Sequence, residues 1–200
     1  MDSLTKNYQG KFREVREKMS IWDELQTRLL LQFQNASAII GRLQVIQNPA
    51  KYGALKFIGG IENAVTRKQM ETLENIFNSM KKTIEEFHGI VVWLEKNARH
   101  GKHLIKGGSI KATPKQLQQR IGLKPSIADC LDGLQNLHEM HLAEYSLKTS
   151  IVTTISDITL KLSASDLNAM QKLLSDQPNI PKEEGMHTSH RFSFNFKKSK

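Results

Sequence analysis

His138 and His141 stand three residues apart, the spacing at which two imidazoles on one helix could reach a single metal ion. A stable metal needs further ligands at fixed distances, and no Glu-x-x-His motif accompanies them. We read both as semi-polar positions on a helix seam. His100-x-x-His103 and His187-x-x-His190 repeat the spacing in segments with little expected rigidity, and read as solvated side chains. Cys130, the single cysteine, falls in the first turn of a helix, where the dipole can lower a thiol pKa. A nucleophile also needs a base and an oxyanion pocket. Nothing near Cys130 in the sequence suggests either, so it reads as a small buried residue. Gly59-Gly60 and Gly107-Gly108-Ser109 lack Walker spacing and a preceding strand, and read as hinges rather than phosphate loops. The pairs Glu85-Glu86 and Glu183-Glu184 are adjacent in sequence, so their carboxylates diverge on a helix and are solvated charge. The expectation is a chain with no catalytic, cofactor or metal site: not an enzyme.

The elements that carry these residues are more legible than the residues themselves. Val15, Met19, Trp22, Gln26, Leu29, Phe33, Ala36, Ile40 and Leu43 recur in alternating steps of 4 and 3, a heptad seam with one polar insertion. Asn48-Pro49 ends it, because proline disfavours a helical residue before itself. A connector over 49–65 holds Gly53, Gly59 and Gly60 with apolar anchors at Leu55, Phe57 and Ile61. Thr66 and Gln69 are spaced as a capping box for a second helix. Its seam is Met70, Leu73, Phe77, Met80, Ile84, Phe87, Val91, Leu94 and Ala98, widened by Ile76, Ile90 and Trp93. Thr113-Pro114 with Gln116 starts a short helix ending near Gly122. In PSIADCLDGLQ, Pro125 disfavours helix at Lys124, Ser126 is an N-cap and Asp129 completes a capping box. The seam that follows uses Ile127, Leu131, Leu134, Leu137 or His138, His141 or Leu142, Tyr145, Val152 and Ile155. Asp132, Gln135 and Glu139 lie on a separate stripe. Ser163 to Asp166 opens a last helix with Leu167, Met170, Leu173 and Leu174 as its apolar face.

The predicted fold is all-α: an elongated antiparallel bundle or coiled coil of three long helices plus short ones. Helices are expected near 11–47, 67–99, 114–121, 126–158 and 164–175, within one domain over 11–177. Residues 1–10 read as a flexible N-terminus and 178–200 as a disordered basic tail.

Hydrophobic content of 38% and charged content of 24% suit a chain that buries a modest core. One cysteine excludes an internal disulfide framework and a Cys-rich zinc site. MDSLTKNYQGKFREV has no apolar core of a signal peptide, and Ile90 to Leu94 is far too short to span a membrane. The expected location is the nucleus and cytoplasm. The net charge of +9 is concentrated: Lys96 to Lys124 holds 8 basic residues and no acid, leaving +1 for the other 171 residues. Such density favours phosphate or an acidic protein surface. It has no interleaved aromatics to stack on bases, so a solvated linker is an equal reading. The candidate basic contacts are Lys102, Lys106, Lys111, Lys115 and Arg120.

Pro125-Ser126-Ile127-Ala128-Asp129, followed by Leu131, Leu134-Gln135, His138, Tyr145, Leu147-Lys148 and Ile151, resembles the C-terminal helical signature of the AIRIM family. Looser echoes are Phe12, Val15, Trp22, Leu43-Gln44 and Gln47, then Leu55, Phe57 and Arg67-Lys68-Gln69. Members are small ribosome maturation factors, also described as casein-kinase substrates, that associate with AAA ATPases. The basic density of 96–124 looks like a feature of this chain, and the tail HRFSFNFKKSK has no counterpart. The resemblance implies a non-catalytic adaptor that helps an AAA ATPase act on pre-60S particles, with no cofactor. Its partners would be the ATPase subunits and the particle, with a possible rRNA contact through the basic segment. On that reading the partner-binding candidates are Asp132, Gln135 and Glu139, or alternatively Trp93 on the second helix. Leu131, Leu134 and Leu147 would pack internally or against the partner. The heptads alone support a coiled-coil tethering protein unrelated to ribosomes equally well, and the basic segment an RNA-binding module.

Overall fold

The structure, a computed structural model, describes residues 2–46, 60–106, 113–120 and 125–181. Every regular element among them is helical: α1 (Asp2–Ile46), α2 (Ile61–Lys106), α3 (Pro114–Gln118), α4 (Ile127–Asp157), a 3-10 turn (Thr159–Lys161) and α5 (Ala164–Asp176). No described helix is long and apolar enough to cross a membrane.

Two helices begin earlier than their sequence suggested. The first starts at Asp2, not near residue 11, because Leu4, Tyr8, Phe12 and Val15 prolong the apolar stripe and are all buried. The polar residues between them and Gly10 disguised that stripe. The second starts at Ile61, so Thr66 and Gln69 lie inside it and cap nothing. Its entry is set by Gly60, whose φ of +77° is a left-handed conformation open to a residue without Cβ, and whose carbonyl accepts from Ala64 N at 3.1 Å. At its far end α2 continues through Gly101 to Lys106, beyond the expected end near residue 99. Of the connector, 47–59 lies outside the described residues, as do 107–112, 121–124 and 182–200.

The chain divides into two compact units. In the first (Met1–Glu24, Phe87–Tyr145 and the chain from Gln177), α1 and α2 run antiparallel. Tyr8 Oη donates to the Gly101 carbonyl at 2.9 Å, Lys11 Nζ to Asn97 Oδ1 at 2.7 Å, and Trp22 meets Phe87 edge-on at 4.5 Å. A methyl group on Gly101 would come within 3.3 Å of a Leu134 methyl and 3.5 Å of the Tyr8 ring. A side chain at Gly101 would crowd the Leu134 and Leu131 methyls of α4 while meeting Tyr8 at ordinary contact distance, and the helix runs through Gly101 unbroken. In the second unit (Leu25–Glu86 and Ser146–Asp176) the pairing is again antiparallel. Gln32 Nε2 donates to Ser79 Oγ at 2.8 Å, Arg42 Nε to Gln69 Oε1 at 3.3 Å, and Arg28 pairs with Glu86.

The α1 seam is buried as read except for half-buried Met19. In α2, Met70 is exposed and Phe77 half-buried, while Leu73, Met80, Ile84, Phe87, Val91, Leu94 and Ala98 are buried. The α4 seam needs a correction. Its buried positions are Ile127, Cys130, Leu134, Leu137, His141, Glu144, Lys148, Ile151 and Ile155, in unbroken steps of 3 and 4. Cys130 takes the place expected for Leu131, and Glu144 that for Tyr145; both displaced residues are half-buried. Residues 178–181 also depart from the expected disordered tail. Asn179 donates through both its backbone N and Nδ2 to Glu144 Oε2 at 3.2 Å, and Ile180 N donates to the Gln177 carbonyl at 2.9 Å. Gln177 itself turns the chain after α5 with φ +47°, strained for a residue with a Cβ, and its Oε1 accepts from Trp22 Nε1 at 2.9 Å.

Candidate protein-docking face

The start of α4 is built as its sequence dictates. Asp129 N donates to Ser126 Oγ at 3.0 Å, and Ser126 N donates back to Asp129 Oδ2 at 3.1 Å, a reciprocal capping box. Arg120 adds Nε and Nη2 contacts to the same oxygen at 3.2 and 3.1 Å. Burial opposes the Asp129 charge, but the Ser126 amide and hydroxyl and the Arg120 guanidinium outweigh it and hold the carboxyl below its ordinary value. Arg120 thus fixes a helix start. It was a candidate for contact with a partner, and an exposed guanidinium can do both.

With that start fixed, helical spacing carries Asp132, Gln135, Glu139 and Leu142 up one stripe. Asp132, Glu139 and Leu142 are exposed and Gln135 is half-buried. Gln135 Nε2 donates to Glu139 Oε1 at 2.7 Å, and Lys102 Nζ of α2 donates to Gln135 Oε1 at 3.0 Å. The structure therefore joins three residues that the sequence had placed in two separate candidate groups: a chain of polar contacts runs Lys102, Gln135, Glu139. Such a face holds charge in position, as a docking surface requires. Trp93 is not part of it. That ring is half-buried, with Lys18 Nζ 5.8 Å from its centroid. Lys115 is exposed on α3, which has the expected Thr113–Gln116 capping box. Lys106 ends α2, and Lys111 lies outside the described residues.

The side chains with reactive potential are put to structural use. Cys130 is 3% exposed, and burial, aided by the Asp129 charge, pushes its thiol up to about 12. That is the opposite of what a nucleophile needs. Buried His141 has its Nδ1 2.7 Å from the Leu137 carbonyl, which can only accept, so that nitrogen carries the proton. Its ring meets Trp22 edge-on at 4.6 Å. His138 is half-buried, and His100 Nδ1 accepts from Lys11 Nζ at 3.2 Å. Among the described residues no group of His, Cys, Asp and Glu is arranged to hold a metal ion.

Sequence reasoning missed the buried polar residues of this unit. Lys11 is 8% exposed, and burial lowers its pKa against the opposing pull of Glu14. Glu144 is fully buried, and His88 stacks on Tyr145 at 5.3 Å. One signal was available for Glu144: strict heptad counting from Ile127 lands on 144 and 148, charged residues that a search for apolar positions passes over.

Compared with known families, residues 2–191 match the family described as Ribosome biogenesis protein C1orf109-like. A search among curated proteins found no match. With the match covering nearly the whole chain, including the capped α4 and its exposed stripe, this protein belongs to the C1orf109-like ribosome biogenesis family.

Proposed function

We propose that this chain is a non-catalytic adaptor subunit that works with an AAA ATPase on maturing pre-60S particles, with the Asp132–Gln135–Glu139 stripe as its docking rim. One observation carries the choice of surface: a helix with a doubly capped start holds an exposed charged stripe in fixed register beside a buried seam. Family membership supports the ribosomal setting. The AIRIM resemblance of residues 125–152 supplies the ATPase, and nucleus and cytoplasm as the sites of action belong to the same reading. The long helices are the scaffold in this proposal. A rim of this kind acts through charge complementarity, which sets partner choice and association rate more than raw affinity.

Affinity purification of the tagged full-length chain from cells is the test. AAA ATPase subunits together with large-subunit precursor proteins are the expected company. Recovery of trafficking or cytoskeletal components instead would return the chain to the tethering reading that its heptads allow.

A further inference from the structure

The basic segment does not act as one piece. Arg120 is engaged by Asp129, and Lys102 is tied to Gln135. Lys115 stands alone on the five-residue α3, whereas α2 carries a group of basic residues at positions outside the first set of basic candidates. Lys96, Arg99, His100 and His103 are all exposed. At 100° per residue, Lys96, Arg99 and His103 fall within about 60° of arc, with His100 adjoining, and Lys96 to His103 covers about 10 Å of helix.

Cations near a helix C-terminus are often explained by the macrodipole, whose influence fades within the last turn. That accounts for Lys102 and Lys106. It does not reach Lys96 and Arg99, which lie ten and seven residues before the end of α2 at Lys106. The only acid on α2 from Phe87 onward is Glu95, four residues before Arg99 and bound to it at 3.1 Å. That exposed pair is weak and leaves Arg99 donors available. Because α2 is continuous from Ile61 to Lys106, the charges are spaced by a rigid helix and not by a flexible linker.

We propose that this exposed face of α2, centred on Lys96 and Arg99, binds the phosphate backbone of RNA. Charge complementarity selects a polyanion, and membership of a ribosome biogenesis family selects RNA among polyanions. The mode is backbone contact without sequence reading. The nearest aromatic on α2, Trp93, is half-buried beneath Lys18 and offers no free ring for base stacking. The proposal goes beyond the ATPase reading and does not depend on it.

The test uses the purified full-length chain and short RNA duplexes of two unrelated sequences, with Kd measured by fluorescence anisotropy over a salt series. Lys96→Gln with Arg99→Gln keeps helix propensity, and circular dichroism checks that the fold is retained. Lys81→Gln with Lys82→Gln removes the same charge from exposed positions elsewhere on α2. The first variant is expected to weaken binding to both duplexes by roughly tenfold to a hundredfold at low salt and to reduce the slope of log K against log salt by about 2. The second is expected to leave that slope near the wild-type value. Equal losses in both variants would reduce the effect to net charge and overturn the proposal. So would a wild-type chain that fails to bind RNA, or one whose binding ignores Lys96 and Arg99. If acidic polyglutamate bound through these two residues and RNA did not, the face would belong to an acidic protein, and the RNA assignment would be wrong.

Discussion

The two compact units are built from the same long helices and yet are packed by different means. In the second, an apolar core of Leu29, Phe33, Ile40, Leu43, Leu73, Met80, Ile84, Ile155 and Leu174 is joined by contacts of uncharged side chains: Gln26 to the Leu174 carbonyl, Gln44 to the Leu162 carbonyl and Thr83 to Gln32. In the first, the directional contacts are Tyr8 to Gly101, Lys11 to Asn97 and His100, Trp22 to Gln177, and Asn179 to Glu144, and two of these residues, Lys11 and Glu144, are charged side chains held inside the core. Apolar seams tolerate sliding by a heptad, whereas a buried donor is satisfied at one register only. We take the first unit's polar contacts as register pins. It is also the unit that holds the capped start of α4, the Lys102–Gln135–Glu139 contacts and the basic face of α2. The unit that presents charges in fixed positions is thus also one whose buried Lys11 and Glu144 have partners that fix its register.

The largest effect should come from breaking either seam outright. Leu73→Asp in the second unit and Leu134→Asp in the first each place a charge where the native side chain is 1% exposed. Each should cost more than about 4 kcal/mol and remove the cooperative thermal transition followed by circular dichroism. A normal transition in either variant would mean that its seam is misassigned.

Glu144→Ala sharpens the comparison at the next level. It leaves two Asn179 donors without their acceptor, and a loss of about 2–3 kcal/mol is expected in denaturant unfolding. Asn179→Ala should cost less, about 1 kcal/mol, because the backbone N–H survives. Equal stability of Glu144→Ala and wild type would remove Glu144 from the register pins.

A smaller and pH-dependent effect is expected at the α4 cap. The Asp129 carboxyl is held below its ordinary value in the folded chain, so its stabilisation is complete above the unfolded pKa of about 4. As pH falls through the lower folded value, that stabilisation is lost. Asp129→Asn should therefore lower the Tm at neutral pH, and the gap to wild type should close on acidification. A gap that stayed constant down to acid pH would show that the carboxylate charge is irrelevant. Ser126→Ala should cost about 1 kcal/mol.

Helix identity, the caps at Thr113, Ser126 and Ser163 and most of the apolar seams were legible from sequence because each rests on short-range spacing. Asp166 N donates to Ser163 Oγ at 3.1 Å, much as the sequence of that helix start implies. What could not be read depends on partners distant in the chain. Nothing around Gly101 announces that its carbonyl will accept from Tyr8, 93 residues earlier in the chain. The polar run before Phe12 concealed a buried stripe, since Leu4 and Tyr8 are too few to stand out without the helix they pack on. Glu144 and Lys148 escape an apolar periodicity because charged residues ordinarily lie at the surface. For the docking rim, Asp132, Gln135 and Glu139 followed from helical periodicity, but the tie to Lys102 required the fold.

The central claim is that the α4 rim meets a partner through its charge and not through its contribution to folding. Asp132→Lys with Glu139→Lys tests it most directly, because both side chains are exposed and reversal leaves the α4 seam untouched. The measurement is recovery of AAA ATPase subunits with the tagged double variant, beside its circular dichroism spectrum and Tm. The account predicts a wild-type helical spectrum, a Tm within a few degrees of wild type, and ATPase recovery reduced by tenfold or more, roughly the effect of 1.4 kcal/mol or above at an interface. Full recovery by a folded double variant would contradict it and move the docking surface off this face of α4.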